Sequence, residues 1–272
     1  MQKARVEAQR VNATRVHVCL VGEIRHKPQY DEAEARWRLW NILVPACQLM
    51  GTTVSLCADW LQAKRIASEK DWKQWPPDWD RQTLKDRRHL IGDLIAWSRA
   101  GEKIPTLSAS PHARRKVRET YRLMGKPVVT MTLRNTYLRE RNSHRGEWLR
   151  ARHEIEQAGY AVIVLEDTDV ALSQGQGFGE LNLDLRMACY QEAALNLQAN
   201  NGAASLCWFS ETPYRMFGCG IPPEEWDGLF VKQGLPLGES WPWAGPQQRL
   251  VYGQPTTEQI MEEFRAWVSA MT

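Results

Sequence analysis

The chain reads as an α/β protein built from two successive units, and three observations predict this. Two short apolar runs near the start, RVHVCLVG (15–22) and TTVSLCA (52–58), bracket an amphipathic stretch. A second pair, PVVTMT (127–132) and AVIVLED (161–167), brackets another. Strand, helix and strand in that order form the crossover unit of a parallel sheet. Third, the 272 residues exceed the usual one-domain span of roughly 100–200 residues, which leaves room for two modest domains or one large one.

The first run ends at Gly22, and the polar, proline-containing EIRHKPQ that follows is a loop at the strand's carboxyl end. Asp31 with Glu34 three residues later has the form of a capping box. Trp37, Trp40, Val44 and Cys47 then recur at helical spacing as far as Gly51. Between Asp59 and Pro111 the pattern weakens: DWKQWPPDWD is a loop, RQTLKDRRHLIGDLIAWSRAG a helix and IPTLSASP a connection. PHARRKVRETYRLMG (111–125) is a basic helix placed at the hinge. The expected organisation is therefore a first domain over 1–110, a linker helix over 111–126 and a second domain over 127–272.

In the second domain, Ser143 or Asn142 is expected to cap a helix that buries Trp148, Leu149 and Ile155 and stops at Gly159. A polar loop, TDVALSQGQGFGE, leads to a helix with Leu183, Met187, Tyr190, Ala194 and Leu197 along one face. ASLCWFS (204–210) fits a strand or a short buried helix, and YRMFGC (214–219) a strand. The end of the chain reads as a loop rich in Gly, Pro and Trp, the strand RLVY and a final helix. That helix is capped by Thr256 with Gln259 and striped by Ile260, Phe264, Trp267, Val268 and Met271.

Composition narrows the function. Thirty-five basic against 32 acidic residues, a net charge of +3, is too even for general nucleic-acid affinity. The six cysteines show no CxxC pair and no zinc-ligand spacing, and Cys19, Cys57 and Cys207 lie in apolar runs as small hydrophobes. With no signal-peptide core and no stretch of the ~20 apolar residues a membrane span needs, a reducing cytoplasm is the expected location. GQGFG lacks dinucleotide-fingerprint spacing, and GxxxxGK[ST], GxSxG and HExxH do not occur. The thirteen tryptophans fall mostly at helix or loop-packing positions; Trp241 and Trp243 have packing as their main reading and stacking on a base or sugar as the alternative.

The chemistry concentrates after the third apolar run. PVVTMT delivers Arg134 to a loop, LRNTYLRERNSHRGEW, that also carries Asn135, Arg139, Arg141 and Arg145. Ligands of open α/β sheets sit beyond the carboxyl ends of the strands, where the strand order reverses, and a guanidinium fork matches paired phosphate oxygens. Arg134, with Arg139 or Arg141, is therefore expected to hold a diphosphate. The alternative is a solvated loop paired with Glu140 and Glu147. Asn201, Gly202, Ala203 and Ser205 belong to a loop whose backbone can face an anion. Glu166, Asp167 and Asp169 end the AVIVL strand, where Asp167 is a candidate for ribose hydroxyls. After the first strand lie Glu23, Arg25, His26, Asp31 and Glu32, where a carboxylate, Glu23 or Asp31 first, or the imidazole is a candidate for the general base; Asp31 reads equally as a helix cap.

The pieces TLRNTYLRERNSHRGEW, GYAVIVLEDTD, ACYQEAALNLQANNGAASLCWFSETPYRMFG and SWPWAGPQQRLVYGQPTTEQIMEEF, in that order over roughly 127–268, resemble the nucleotide-sugar glycosyltransferases of GT-B type, in particular bacterial and phage-like members. A weaker similarity lies in VHVCLVGEIRHKPQYDEAEARWRLW. The resemblance implies two Rossmann-like domains facing a cleft, the first of them reduced, with the donor nucleotide on the second and the acceptor approached from the first. It implies no metal and no cofactor beyond the nucleoside-diphosphate sugar, and places Arg134, Arg139 and 201–205 near the donor phosphates. The chain departs from it in offering only two clear strands in the first half and no E-x7-E signature after NNGAAS. The expected activity is metal-independent transfer of a sugar to a hydroxyl of a glycan or small molecule. Two rivals stand beside it: a non-catalytic nucleotide-binding or assembly protein, and a transferase acting on nucleic acid, suggested by RRKVRETYR. A homo-oligomer or a partner subunit completing the short first domain is left open.

Overall fold

The computed structural model describes residues 1–21, 31–70, 72–75, 91–136, 139, 142–168, 182–219, 227–253 and 255–271. The chain divides into two compact units, Met1–Pro105 and Thr106–Thr272. Both are of α/β type with parallel strands, as the alternating runs predict.

The first unit opens with α1 (Gln2–Arg10), whose Val6 is fully buried. Its strands β1 (His17–Val21) and β2 (Thr53–Cys57) pair in parallel with His17 opposite Thr53, and they are the only strands among its described residues. Asp31 caps α2 (Glu32–Arg38). A π-helical segment, Leu39–Leu43, then leads into α3 (Val44–Leu49), whose Pro45 has no N–H to give to an earlier carbonyl; the widened turn just ahead of it absorbs that loss. Asp59 caps α4 (Trp60–Glu69) by accepting from the Gln62 amide at 2.7 Å. The helix expected over 81–101 is described as α5 (Gly92–Arg99); the start of that stretch lies outside the described residues.

In the second unit α6 (Pro111–Leu123) is the basic helix expected as a linker. Ser110 caps it, Pro111 starts it, and Ala113, Val117 and Tyr121, four residues apart, form its buried stripe. It packs on α8 (Leu183–Glu192), where the Ser110 hydroxyl donates to Asp184 at 2.6 Å. The sheet contains β3 (Val128–Asn135), β4 (Ala161–Thr168), β5 (Leu195–Ala199), β6 (Tyr214–Cys219) and β7 (Gln248–Tyr252). The order is β4-β3-β5-β6-β7, all parallel. The chain moves one way from β3 to β4 and the other way from β5 onward, so the reversal in strand order falls between β3 and β5.

The two faces of this sheet differ in chemistry, because successive side chains of a strand point to opposite sides. On one face Val129, Met131 and Leu133 of β3 join Leu195, Leu197 and Ala199 of β5 under α7 (Arg145–Gln157) and α11 (Thr257–Ser269). Trp148 of α7 is fully buried there, edge-on to Phe217 at 5.5 Å. Thr256 caps α11 by accepting from the Gln259 amide, and Ile260, Phe264 and Trp267 enter the same core; Met271 is exposed. The other face carries Thr130, Thr132 and Arg134 of β3 and Asn196 and Gln198 of β5.

Three more expectations need correction. The helix expected to continue through Ala194 and Leu197 ends at Glu192, and 195–199 is instead the strand β5. Its buried Asn196 and Gln198 interrupt the apolar run and give LNLQA the look of an amphipathic helix. Neither Ser143 nor Asn142 caps α7, whose N-cap is His144 with no side-chain bond; both side chains are used to close the loop after β3. Leu149 is exposed, and Ala151 takes its place in the buried stripe with Trp148 and Ile155. Of the two readings of 204–210, the helical one holds, as α9 (Ser205–Trp208).

Candidate functional site at the carboxyl edge of the second sheet

The polar face of β3 and β5 forms a buried row leading to the point where the strand order reverses. Thr130 lies opposite Asn196 in the register and Thr132 opposite Gln198. At the lower end the groups are satisfied: the Thr130 hydroxyl donates to Asn196 Oδ1 at 2.6 Å, and Asn196 Nδ2 donates to the Tyr190 and Pro213 carbonyls at 3.0 and 2.8 Å. Thr132 Oγ1 and the Tyr190 hydroxyl lie 2.9 Å apart. Burial pushes the Tyr190 phenol above its ordinary range, so it stays neutral.

Toward the carboxyl edge satisfaction declines. Gln198 is fully buried, yet its Nε2 finds only the Cys207 sulfur and its Oε1 finds no donor among the described residues. Burial pushes the Cys207 thiol up to about 12, so this sulfur is a weak, uncharged acceptor. Arg134 is half-buried at the end of β3. One terminal nitrogen donates to the Asn200 carbonyl at 3.3 Å, reaching across the reversal, and its buried Nε finds no acceptor among the described residues. No described carboxylate pairs with it. Buried polar groups left unbonded are uncommon, since each costs about 1–3 kcal/mol.

The loop after β3 is tied to the strand. The Arg134 amide donates to the Ser143 hydroxyl at 2.9 Å, and the Ser143 amide returns to the Arg134 carbonyl at 3.0 Å. Asn142 brackets Thr136, accepting from its amide at 2.8 Å and donating to its carbonyl at 2.9 Å. Asn135 and Arg139 are exposed; Arg141 lies outside the described residues.

After β5, Asn201 is almost fully buried; its Oδ1 accepts from the Ala204 amide at 2.8 Å, folding 201–204 into a turn, and its Nδ2 finds no acceptor among the described residues. Gly202 is exposed, Ala203 is buried, and the Ser205 hydroxyl donates to the Gly202 carbonyl at 2.7 Å. Asp167 is half-buried and stands opposite Arg134 in the β3–β4 register. The structure thus brings Arg134, Asp167 and Asn201 to one edge, with Gly202, Ala203 and Ser205 in the adjoining turn.

One residue of this edge escapes the sequence reading. Arg186 of α8 is 7% exposed, donates to the Glu166 carbonyl at 2.7 Å, and leaves its Nε without an acceptor among the described residues. An arginine at a core position of a helix, between Leu183 and Met187, is the signal that could have found it. Glu166 itself pairs with Arg145 at 2.7 Å.

In the first unit Asp31 Oδ1 accepts from the Glu34 amide at 2.7 Å, the capping role. Glu23, with Arg25 and His26, lies outside the described residues, as do Asp169 and GQGFG. Trp241 is buried, stacked 5.4 Å from Trp243, which stacks in turn on Phe209 at 5.5 Å. These rings pack a loop, the main reading given to them.

No family model matches this sequence, and no curated protein matches it. Two solved sugar transferases align with the chain. The glycosyl transferase family 9 structure from Veillonella parvula aligns at TM-score 0.46 and 10% identity, over 98% of this chain and 84% of its own. ADP-heptose lps heptosyltransferase II from E. coli aligns at TM-score 0.44 and 10% identity, over 62% of this chain. The match spans 55% of that relative's length. A putative LacI transcriptional regulator from Bacteroides fragilis aligns at TM-score 0.25 and 10% identity, over 94% of this chain and 90% of its own. No helix among the described residues is long and apolar enough to cross a membrane.

Proposed function

We propose that the carboxyl edge of the second sheet holds the diphosphate of a nucleotide sugar, and that the chain transfers the sugar to a hydroxyl acceptor. The observation that supports this most is the polar row itself. It ends, at the reversal in strand order, in three buried donors without acceptors among the described residues: Arg134 Nε, Arg186 Nε and Asn201 Nδ2. Donors of this kind, two of them on permanently charged guanidiniums, are complementary to phosphate oxygens.

In this reading Arg134 and Arg186 stabilise the charge that grows on the diphosphate as the sugar departs, which is the part a metal ion plays in other phosphate sites. Their orientation is set in advance by the Asn200 and Glu166 carbonyls. Asn201 and the turn through Ser205 cradle the phosphates, and Asp167 accepts from a ribose hydroxyl. Arg139 and Asn135, both exposed after β3, add polar groups beside the site. The acceptor hydroxyl gives its proton to a general base, and its oxygen forms the new bond to the sugar carbon as the bond to the diphosphate breaks. Glu23 and Asp31 are the sequence candidates for that base, and Asp31 already caps α2 through one oxygen.

The test is isothermal titration of the folded chain against UDP, GDP, ADP and dTDP. One of the four should bind, and Arg134→Ala should weaken it by roughly 10- to 150-fold, the equivalent of about 1.5–3 kcal/mol for a hydrogen bond to a charged group. Binding of none of them by a folded sample would remove the nucleotide reading. Tight binding without turnover in the presence of any acceptor would favour a non-catalytic nucleotide-binding protein.

A further inference from the structure

The opposite, amino-terminal edge of the second sheet carries a concentration of charge that the diphosphate site does not use. Between 111 and 126 the chain places Arg114, Arg115, Lys116, Arg118, Arg122 and Lys126 against a single acid, Glu119. Most of this charge lies on the solvent side of α6, since Ala113, Val117 and Tyr121 occupy the buried side. At the end of the helix the surface sinks into an open hollow of about 320 Å³, lined by Arg118, Arg122 and Lys126, with Tyr121, Glu192 and Ala194 among its walls.

The hollow is not self-neutralised. Glu192 is its only acid among the described residues; it accepts from Arg114 at 2.7 Å and from Arg118 at 2.8 Å. Burial alone would raise this carboxyl, but bonds from Arg118 and Arg114 outweigh it and hold the group below its ordinary value, so it stays charged and occupied. No described carboxylate pairs with Arg122 or Lys126, and both are exposed. Two cations therefore face a concave surface whose acid is already satisfied by two others.

We propose that this hollow binds a phosphate group, with Arg122 and Lys126 as its principal ligands and Arg118 as the bridge to Glu192. Arginine supplies a planar pair of donors and lysine a mobile point charge, a combination suited to a monoester or diester phosphate. The phosphate has two natural sources: a soluble phosphorylated compound, or the headgroup of an anionic lipid. Leu123, 89% exposed on the same turn as Arg122, is placed to touch the apolar side of such a headgroup. The site stands at the far edge of the sheet from Arg134 and does not depend on what that edge binds.

The experiment uses the full chain carrying Arg134→Ala, so that phosphate held at the carboxyl edge does not contribute. It is titrated with inorganic phosphate at low salt, and separately sedimented with vesicles of phosphatidylcholine alone or mixed with phosphatidylglycerol. The comparison protein adds Arg122→Gln and Lys126→Gln, both at exposed positions, with thermal melting to show that the fold is kept. Saturable phosphate binding that the added pair weakens by roughly tenfold or more supports the site with a soluble source. Retention by the anionic vesicles alone, lost in the comparison protein, supports it with a lipid source. Arg115→Gln with Lys116→Gln removes equal charge outside the hollow and should leave phosphate affinity within about twofold, as screened surface charges do. Equal binding by parent and comparison proteins, or no binding of phosphate or anionic vesicles by the parent, would each overturn the proposal.

Discussion

Replacing Arg215 with Met tests how far the second unit depends on a buried charge pair joining β6 to α11. Arg215 and Glu263 are both nearly closed to solvent, with side chains 8% and 10% exposed, and meet at 3.0 Å. The same guanidinium donates to the Tyr214 and Gln247 carbonyls at 3.0 and 2.8 Å. Burial lowers the arginine's affinity for its proton, while Glu263 opposes that effect. Met fills similar space but returns none of the three bonds. Removing one partner of a buried pair costs about 3–5 kcal/mol, and the lower end applies because Arg249 still reaches Glu263 at 3.2 Å. About 3 kcal/mol corresponds to a fall of roughly 6–12 °C in Tm for a domain of this size. Urea and thermal unfolding of Arg215→Met, Glu263→Leu and the double variant measure the coupling. The double variant should recover to within about 1–2 kcal/mol of the parent, because two apolar groups leave no buried charge behind. A single Arg215→Met that unfolds within about 1 kcal/mol of the parent would refute the anchoring role.

Other outcomes follow from the same geometry. Trp148→Ala removes the largest fully buried side chain of the main core and should cost about 3–5 kcal/mol, read from the urea midpoint. Gly159, which ends α7 at φ +94° with nothing within 4 Å of an added Cβ, should lose roughly 1–2 kcal/mol on change to Ala through backbone strain alone; an unchanged midpoint would count against that conformation. Glu192 has a depressed carboxyl. Its contribution is therefore full above the unfolded value of about 4.3 and disappears as pH falls through the lower folded value. Glu192→Gln should be less stable than the parent by about 1 kcal/mol at pH 7, the partners being half exposed, and the difference should shrink as pH falls below about 4.3. A gap that persists undiminished at pH 3 would exclude the charge as its cause.

The outline of the second unit was legible because its strands are apolar and its helices carry their own punctuation. Gly159, Thr256 with Gln259 and the run into Arg134 each mark a boundary by local chemistry, and the structure has those boundaries. The strand β5 was not legible, for a reason that bears on the site. A central strand is expected to be apolar on both faces, whereas β5 buries Asn196 and Gln198 on one of them. Their partners, Thr130 and the Cys207 sulfur, are 66 residues upstream and 9 downstream, and no local pattern announces such pairings. Without β5 the reversal of strand order cannot be located, so the row of polar groups remains invisible, although Arg134 itself is readable from its place at a strand end. The loop side chains Ser143 and Asn142 show the same limit: helix-capping residues by type, they are drawn instead to the backbone of 134–136.

The unlike faces of the β3–β5 pair have a consequence for how these strands are composed. Thr130, Thr132 and Gln198 belong to the polar row, while the aliphatic and indole packing around Trp148 lies on the reverse side of the same two strands. The polar row and the apolar core therefore answer to alternate residues of one short sequence.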